Sequence, residues 1–147
     1  MRKALVTGGA GFIGSHLCQR LRREEVEVVV LDNFDPFYDP AAKHRNLRPL
    51  QGDGGFRLVE GDIRDESLVD KLFAGERFDT VFHLAARAGV RPSLEEPRLY
   101  QDVNVTGTVT LLEAARRNQV GRFVFGSSSS VYGNNKKVPF AEDDLVD

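Results

Sequence analysis

The stretch VTGGAGFIGSHL, residues 6–17, sets glycines at 8, 11 and 14 between an apolar run and an amphipathic one. Before it, KALVTG (Lys3 to Gly8) is a short apolar segment ended by glycine, the pattern of a buried parallel strand. After it, FIGSHLCQRLRRE repeats Ile13, Leu17 and Leu21 every four positions, which predicts a helix with those side chains on its inner face. A chain that turns tightly from strand to helix, approaches a pyrophosphate and packs the helix on the sheet needs glycine for each task. The helix start adds free N–H groups and a positive dipole end. The spacing is G-x-x-G-x-x-G rather than the more familiar G-x-G-x-x-G. Its context carries the reading: VEVVVLD follows as a second strand and ends on Asp32. A carboxylate there accepts hydrogen bonds from ribose hydroxyls and repels a 2′-phosphate. No arginine directly adjoins it, so NAD is expected over NADP.

Outward from this core the alternation continues. The segment from Asn33 to Gly55 is rich in proline, aspartate and glycine and reads as loop, with a few helical turns from Pro40. FRLVEGD is a third strand, and DESLVDKLFAG is a helix opened by an aspartate cap and closed at Gly75. FDTVFHLAA is a fourth strand running into a loop, RAGVRPSLEEP. A long helical pattern then extends from Pro97 to Asn118, and GRFVFGSS is a fifth strand. Strands and helices alternating at this spacing predict an α/β fold, a Rossmann-type doubly wound parallel sheet truncated after about five strands. The organisation expected is a single NAD-binding domain over 1–147, lacking its C-terminal part and a substrate-binding region.

Ligands in such sheets bind at strand carboxyl ends near the topological switch, expected here between the first and fourth strands. Two further segments fall there. GDIRD puts Asp62 and Ile63 where an adenine edge and face would lie. HLAARAG supplies the small residues Ala85 and Ala86, against which a cofactor could rest. Ordinary loop chemistry is the other reading of each.

The bulk properties exclude several classes. Of 147 residues, 41% are hydrophobic and 29% charged, ordinary for a globular protein. A net charge of −2 gives no reason to expect nucleic acid or an anionic membrane as partner. The single cysteine, Cys18, cannot form an internal disulfide, and no leader or membrane span is evident, so a cytoplasmic setting is expected.

TGGAGFIGSHL, LDN, GDIRD, HLAA, NVTGT and SSSSVYG occur in the order found in extended short-chain dehydrogenases/reductases, the NAD-dependent nucleotide-sugar epimerases and dehydratases. The resemblance covers essentially the whole chain. Within that family, NFDPFYDPAAKHRNL, AGVRPSLEEP and VYGNNKKVPFAEDD most resemble the UDP-glucuronate 4-epimerases. It implies cofactor contacts at Gly8, Gly11, Phe12, Ile13, Asp32, Asn33, Asp62, Ile63, Leu84, Ala85, Ala86 and Asn104. For Asn104 the other reading is a tie between helix and sheet. Ser128 takes the place of the family's catalytic serine or threonine, with Ser127, Ser129, Ser130 and Arg91 as substrate contacts. Arg91 reads equally as a solvated loop arginine.

The family's reaction is transient oxidation at C4 of a UDP-sugar, with a tyrosine as base and a lysine one helical turn on. Tyr132 and Lys136 have the Tyr-x-x-x-Lys spacing, but Gly133, Asn134 and Asn135 between them are poor helix formers. The pair also begins only four residues after Ser128, so it reads as a decoy and the chain alone as lacking its base. Positions 129 and 130 carry no carboxylate, which favours epimerisation over dehydration. The alternatives are a neutral UDP-hexose epimerase, a 4,6-dehydratase, or a non-catalytic nucleotide-binding module. A homo-oligomer is expected, with no nucleic acid, membrane or metal partner.

Overall fold

The computed structural model describes residues 2–146. Five parallel strands, β1 (Lys3–Thr7), β2 (Glu27–Asp32), β3 (Phe56–Glu60), β4 (Thr80–His83) and β5 (Arg122–Phe125), form one sheet in the order β3-β2-β1-β4-β5. The helices are α1 (Phe12–Arg23), α2 (Pro40–Leu47), α3 (Glu66–Gly75), α4 (Val90–Glu95), α5 (Pro97–Gln101) and α6 (Gly107–Arg117).

Alternation along the strands makes two cores. Ala4, Val6, Val28 and Val30 face Cys18 and Leu21 of α1 and Leu47 of α2. Leu5, Val29 and Leu31 face Val69, Leu72 and Phe73 of α3 and Leu111 and Ala114 of α6. Both faces of the central strands are therefore covered, which is why they read as continuous apolar runs. The Cys18 thiol is wholly enclosed, and burial pushes it up to about 12.

Local chemistry sets the helix starts. Asp39 accepts from the Ala41 N–H at 2.9 Å, ahead of Pro40, to begin α2. Asp65 accepts from Leu68 N–H at 3.0 Å to begin α3, the cap its sequence predicts. Helix α1 begins after Gly11 with no side-chain cap. Arg20, Arg22 and Arg23 close its far end, where cations suit the dipole.

The structure differs from the sequence expectation at three places. The inner face of α1 is Gly14, Ser15, Cys18 and Leu21, whereas Ile13 is 70% exposed. A four-residue repeat drifts around a helix of 3.6 residues per turn, so Ile13 falls off the face that Leu21 occupies. The expected loop after β4 contains helix α4. The long helix from Pro97 is broken by a π-helical turn at Asp102–Thr106, between α5 and α6.

Candidate functional site

Going from β3 through β1 the chain order is 3-2-1, and it then jumps to 4; the strand ends part at the β1/β4 boundary, where a crevice opens. Gly8 turns the chain there with φ +68°, a conformation that favours glycine. A Cβ on Gly8 would lie 2.7 Å from the Ala85 backbone nitrogen, and one on Gly14 would lie 2.3 Å from the Gly8 carbonyl oxygen. These two glycines let strand, loop and helix touch. Gly11 differs: its added Cβ would meet only the Gly8 carbonyl, at 3.2 Å. Because helical bonding starts with Ser15 donating to Gly11, the amides of Phe12, Ile13 and Gly14 have no intrahelical partner.

The crevice is lined by Gly8, Gly11, Asp32, Asn33, Asp62, Ile63, Leu84, Ala85 and Ala86, together with Asp35, Phe37, Tyr38, Lys43, Arg87 and Val103. Nine of the twelve residues that the resemblance assigned to the cofactor thus line one cavity. Phe12 and Ile13 stand exposed at the α1 start beside it, and Asn104 is held behind it. A larger groove between β3 and α3 mixes Arg57 and Lys71 with Asp65 and Glu76, away from the switch point.

Several polar lining residues are held, although the buried Nε of Arg87 has no hydrogen-bond partner. Asp32, 5% exposed, accepts from Ala10 N–H at 3.1 Å, Phe34 N–H at 2.9 Å and the Lys43 ammonium at 3.2 Å. The sequence shows no arginine beside Asp32, but the fold brings a lysine to it. Phe34 pays a backbone cost, at φ +52°, and is secured by its bond to Asp32 and by stacking on His44 with ring centroids 4.5 Å apart. Asp62 is clasped by Arg64, with bonds at 2.9 and 2.8 Å, and by Asn33 at 2.9 Å. The Arg64 guanidinium is the main reason its carboxyl is pulled down to about 2. Ile63 is 5% exposed, most of its side chain packed into the core against the Gly107 backbone.

Asn104 sits in the π-helical turn, an irregularity that often marks functional sites. Its amide oxygen accepts from Arg87 N–H at 2.8 Å and its amide nitrogen donates to the Arg87 carbonyl at 3.0 Å. Both amide groups thus tie the π-turn to the β4–α4 loop. The Arg87 side chain donates to Asp35 at 2.8 Å and Glu96 at 3.2 Å and lies over Phe37. The sequence reading did not single it out; Arg91, four positions on and expected as a substrate contact, is exposed on α4.

Behind the crevice runs a buried relay. Thr7 Oγ1 accepts from the Leu84 and Ala85 amides, so its own proton goes to His83 Nδ1 at 2.7 Å. His83 Nε2–H then donates to Thr108 Oγ1 at 2.9 Å, which donates to the Asn104 carbonyl at 2.7 Å. The network assigns a neutral ring with its proton on Nε2. Burial pulls the imidazole down to about 4.

Ser127 to Ser130 follow β5, exposed and outside this cavity lining. Ser128 accepts from Ser130 N–H at 3.3 Å and starts a 3-10 turn ending at Tyr132. Gly133, at φ +55°, breaks the chain direction, and Tyr132 stacks on Phe140. No helix joins Tyr132 to Lys136.

A glycine turn into an uncapped helix at the switch point of a parallel sheet, with an acidic residue ending the second strand, defines a dinucleotide-binding protein of the Rossmann type. Residues 4–147 match the NAD dependent epimerase/dehydratase family, and the chain belongs to that family. It is 49% identical over 144 residues to UDP-glucuronate 4-epimerase 1 of Arabidopsis thaliana, covering 97% of this chain and 33% of that one. Among solved structures, the UDP-glucose-4-epimerase of Stenotrophomonas maltophila, with bound NAD and formylated UDP-arabinopyranose, is 36% identical. It superposes with a TM-score of 0.86 over 99% of this chain and 43% of its own. The Bifidobacterium longum UDP-glucose 4-epimerase, in complex with NAD+ and UDP, is 34% identical with a TM-score of 0.87, over 99% of this chain and 42% of its own. The chain spans between 33% and 45% of the length of the curated relatives it matches.

Proposed function

We propose that residues 1–147 are the NAD-binding portion of a nucleotide-sugar C4 epimerase of the UDP-glucuronate 4-epimerase kind. The observation that carries the cofactor reading is the contrast among the glycines. Gly8 and Gly14 are closed by backbone, whereas Gly11 is nearly open on the side where the uncapped α1 amides stand. A diphosphate fits there, with the amides of Phe12 and Ile13 donating to it. Asp32 takes the adenosine ribose, Asn33, Asp62 and Ile63 the adenine end, and Leu84, Ala85 and Ala86 the wall beyond the diphosphate.

Bound NAD would supply a hydride acceptor and donor for the sugar carbon. On this chain, Ser128 would donate to the oxygen of the reacting carbon and stabilise its developing charge. Ser127, Ser129, Ser130 and Arg91 would line the sugar side. Tyr132 and Lys136 lack the shared helix face that lets a lysine lower a tyrosine's pKa. These 147 residues by themselves therefore bind cofactor without turning over UDP-sugar. The 49% identity to a UDP-glucuronate 4-epimerase supports the uronate over a neutral hexose.

Calorimetric titration with NAD tests this. The expected result is one site per chain, weakened by at least about tenfold in Asp32→Asn, a loss of about 1.4 kcal/mol. A folded wild-type chain that takes up no NAD would overturn the reading. A cytoplasmic homo-oligomer is part of the same proposal. Among the described residues strand β5 has no neighbour on its outer edge, and Val124 and Phe125 are exposed there. Sedimentation at rising concentration is expected to show self-association, and a monodisperse monomer throughout would count against it.

A further inference from the structure

Arg87 joins two loops that the rest of the crevice leaves apart. The loop after β2, residues 33–38, is shaped mostly by bonds to itself. Asn33 accepts from the Asp35 N–H at 3.0 Å and Asp35 from the Phe37 N–H at 2.9 Å, while Asn33 also donates to Asp62, beyond β3. Among the described residues, the one hydrogen bond from this loop to the β4 side is the bond that Arg87 donates to Asp35 at 2.8 Å. Strands β2 and β4 lie on either side of β1, so this bond spans the end of β1, where Gly8 turns the chain.

The guanidinium is fixed in that position from several directions. Its other terminal nitrogen donates to Glu96, between α4 and α5, at 3.2 Å. Its carbon lies 5.2 Å from the Phe37 ring centre and 5.7 Å from that of Tyr100. Asn104 clamps the Arg87 backbone through both its N–H and its carbonyl. Only 13% of the side chain is exposed, and its buried Nε–H has no partner. An unmade buried bond is a cost, so the orientation is set by the two carboxylates rather than by satisfying every donor of the guanidinium.

Resting on the NAD reading above, we propose that Arg87 is a positioning residue: with Asp35 it forms a strap across the dinucleotide crevice and sets how slowly the cofactor leaves. Opening the crevice means lifting the loop 33–38, which breaks the Asp35 bond and the Phe37 contact together while the turns within the loop stay made. The strap suits the proposed reaction. An epimerase returns the hydride to the sugar that gave it, so its dinucleotide has no need to exchange between turnovers.

The test is release of bound NADH from the folded chain into excess NAD, followed by the fluorescence of NADH itself, for wild type, Arg87→Met, Asp35→Asn and the double variant. Asp35→Asn keeps an acceptor for the Phe37 N–H and removes the charge, so it serves if Arg87→Met does not fold. The expected result is release faster by about tenfold or more in each single variant, with association no slower. The double variant is expected to release within about twofold of the faster single one, because both changes cut the same bond. Single variants that release at the wild-type rate, or effects that multiply in the double variant, overturn the strap and leave the NAD reading standing. A folded wild type that takes up neither NADH nor NAD removes both.

Discussion

Replacing Gly14 by alanine is expected to cost about 3 kcal/mol or more in urea unfolding, enough to leave a marginal domain largely unfolded. The new methyl would sit 2.3 Å from the Gly8 carbonyl oxygen and 2.7 Å from the Gly9 Cα. Both neighbours are backbone, in a turn fixed by Gly8 donating to Leu31 O at 2.9 Å and by Gly11 donating to Gly8 O at 3.1 Å. No rotamer change relieves such a clash, so either α1 lifts from the sheet or the turn opens. Gly11→Ala is the matched control. Gly11 has φ −69°, which alanine adopts freely, and its methyl would meet a single atom at 3.2 Å. Its stability is expected to stay within about 1 kcal/mol of wild type, while NAD affinity falls because the methyl occupies the diphosphate's approach. Equal unfolding midpoints for Gly14→Ala and Gly11→Ala would contradict the assignment of separate roles to these glycines.

The second large effect is a pH dependence from His83. In the folded chain burial holds its imidazole at about 4, against an ordinary 6.5. Protonation would also place a second N–H against Thr7 Oγ1, whose lone pairs already accept from Leu84 and Ala85. Between pH 6.5 and 4 the unfolded chain therefore binds the proton and the folded chain does not. The stability linked to His83 is fully present above the unfolded value and is lost as pH falls through this window, by about 3 kcal/mol in all. Urea midpoints measured from pH 7 to pH 4 should fall steeply for wild type. His83→Gln should start lower, having lost a satisfied buried network, and then change far less across the same range. Parallel curves would rule out His83 as the source. Asp62 acts in a separate, lower window. Its carboxyl is pulled down to about 2 by Arg64, so its contribution is present above the usual carboxylate value and disappears as pH drops from about 4 toward 2.

Much of this architecture is written in local pattern. The apolar runs ending at Thr7, Asp32 and His83, the glycine spacing, and the aspartates before Pro40 and Glu66 specify strands, turn and helix starts through short-range chemistry. The rule that ligands bind at strand carboxyl ends near the switch adds the grouping of Gly8, Gly11, Asp32, Asp62 and Ala85 around one crevice. Other features have no local signature. The stretch Val103 to Thr106 gives no sign that it winds as a π-turn, nor that Asn104 within it bonds the Arg87 backbone 17 residues away. Arg87 and Arg91 look alike in sequence, and only the direction of the chain leaving β4 puts one in the cavity and the other in solvent.

By itself, then, the sequence determines a parallel α/β sheet with a dinucleotide turn at its centre, since hydrophobic period, glycine and capping residues act over a few positions. What the tertiary structure alone decides is the electrostatic company each site residue keeps. Lys43 reaches Asp32 across 11 positions, His83 meets Thr7 and Thr108 across 76 and 25, and Arg87 meets Asp35 across 52. Such pairings depend on where whole elements dock, and docking is fixed by the packing of two cores rather than by any neighbour in the chain.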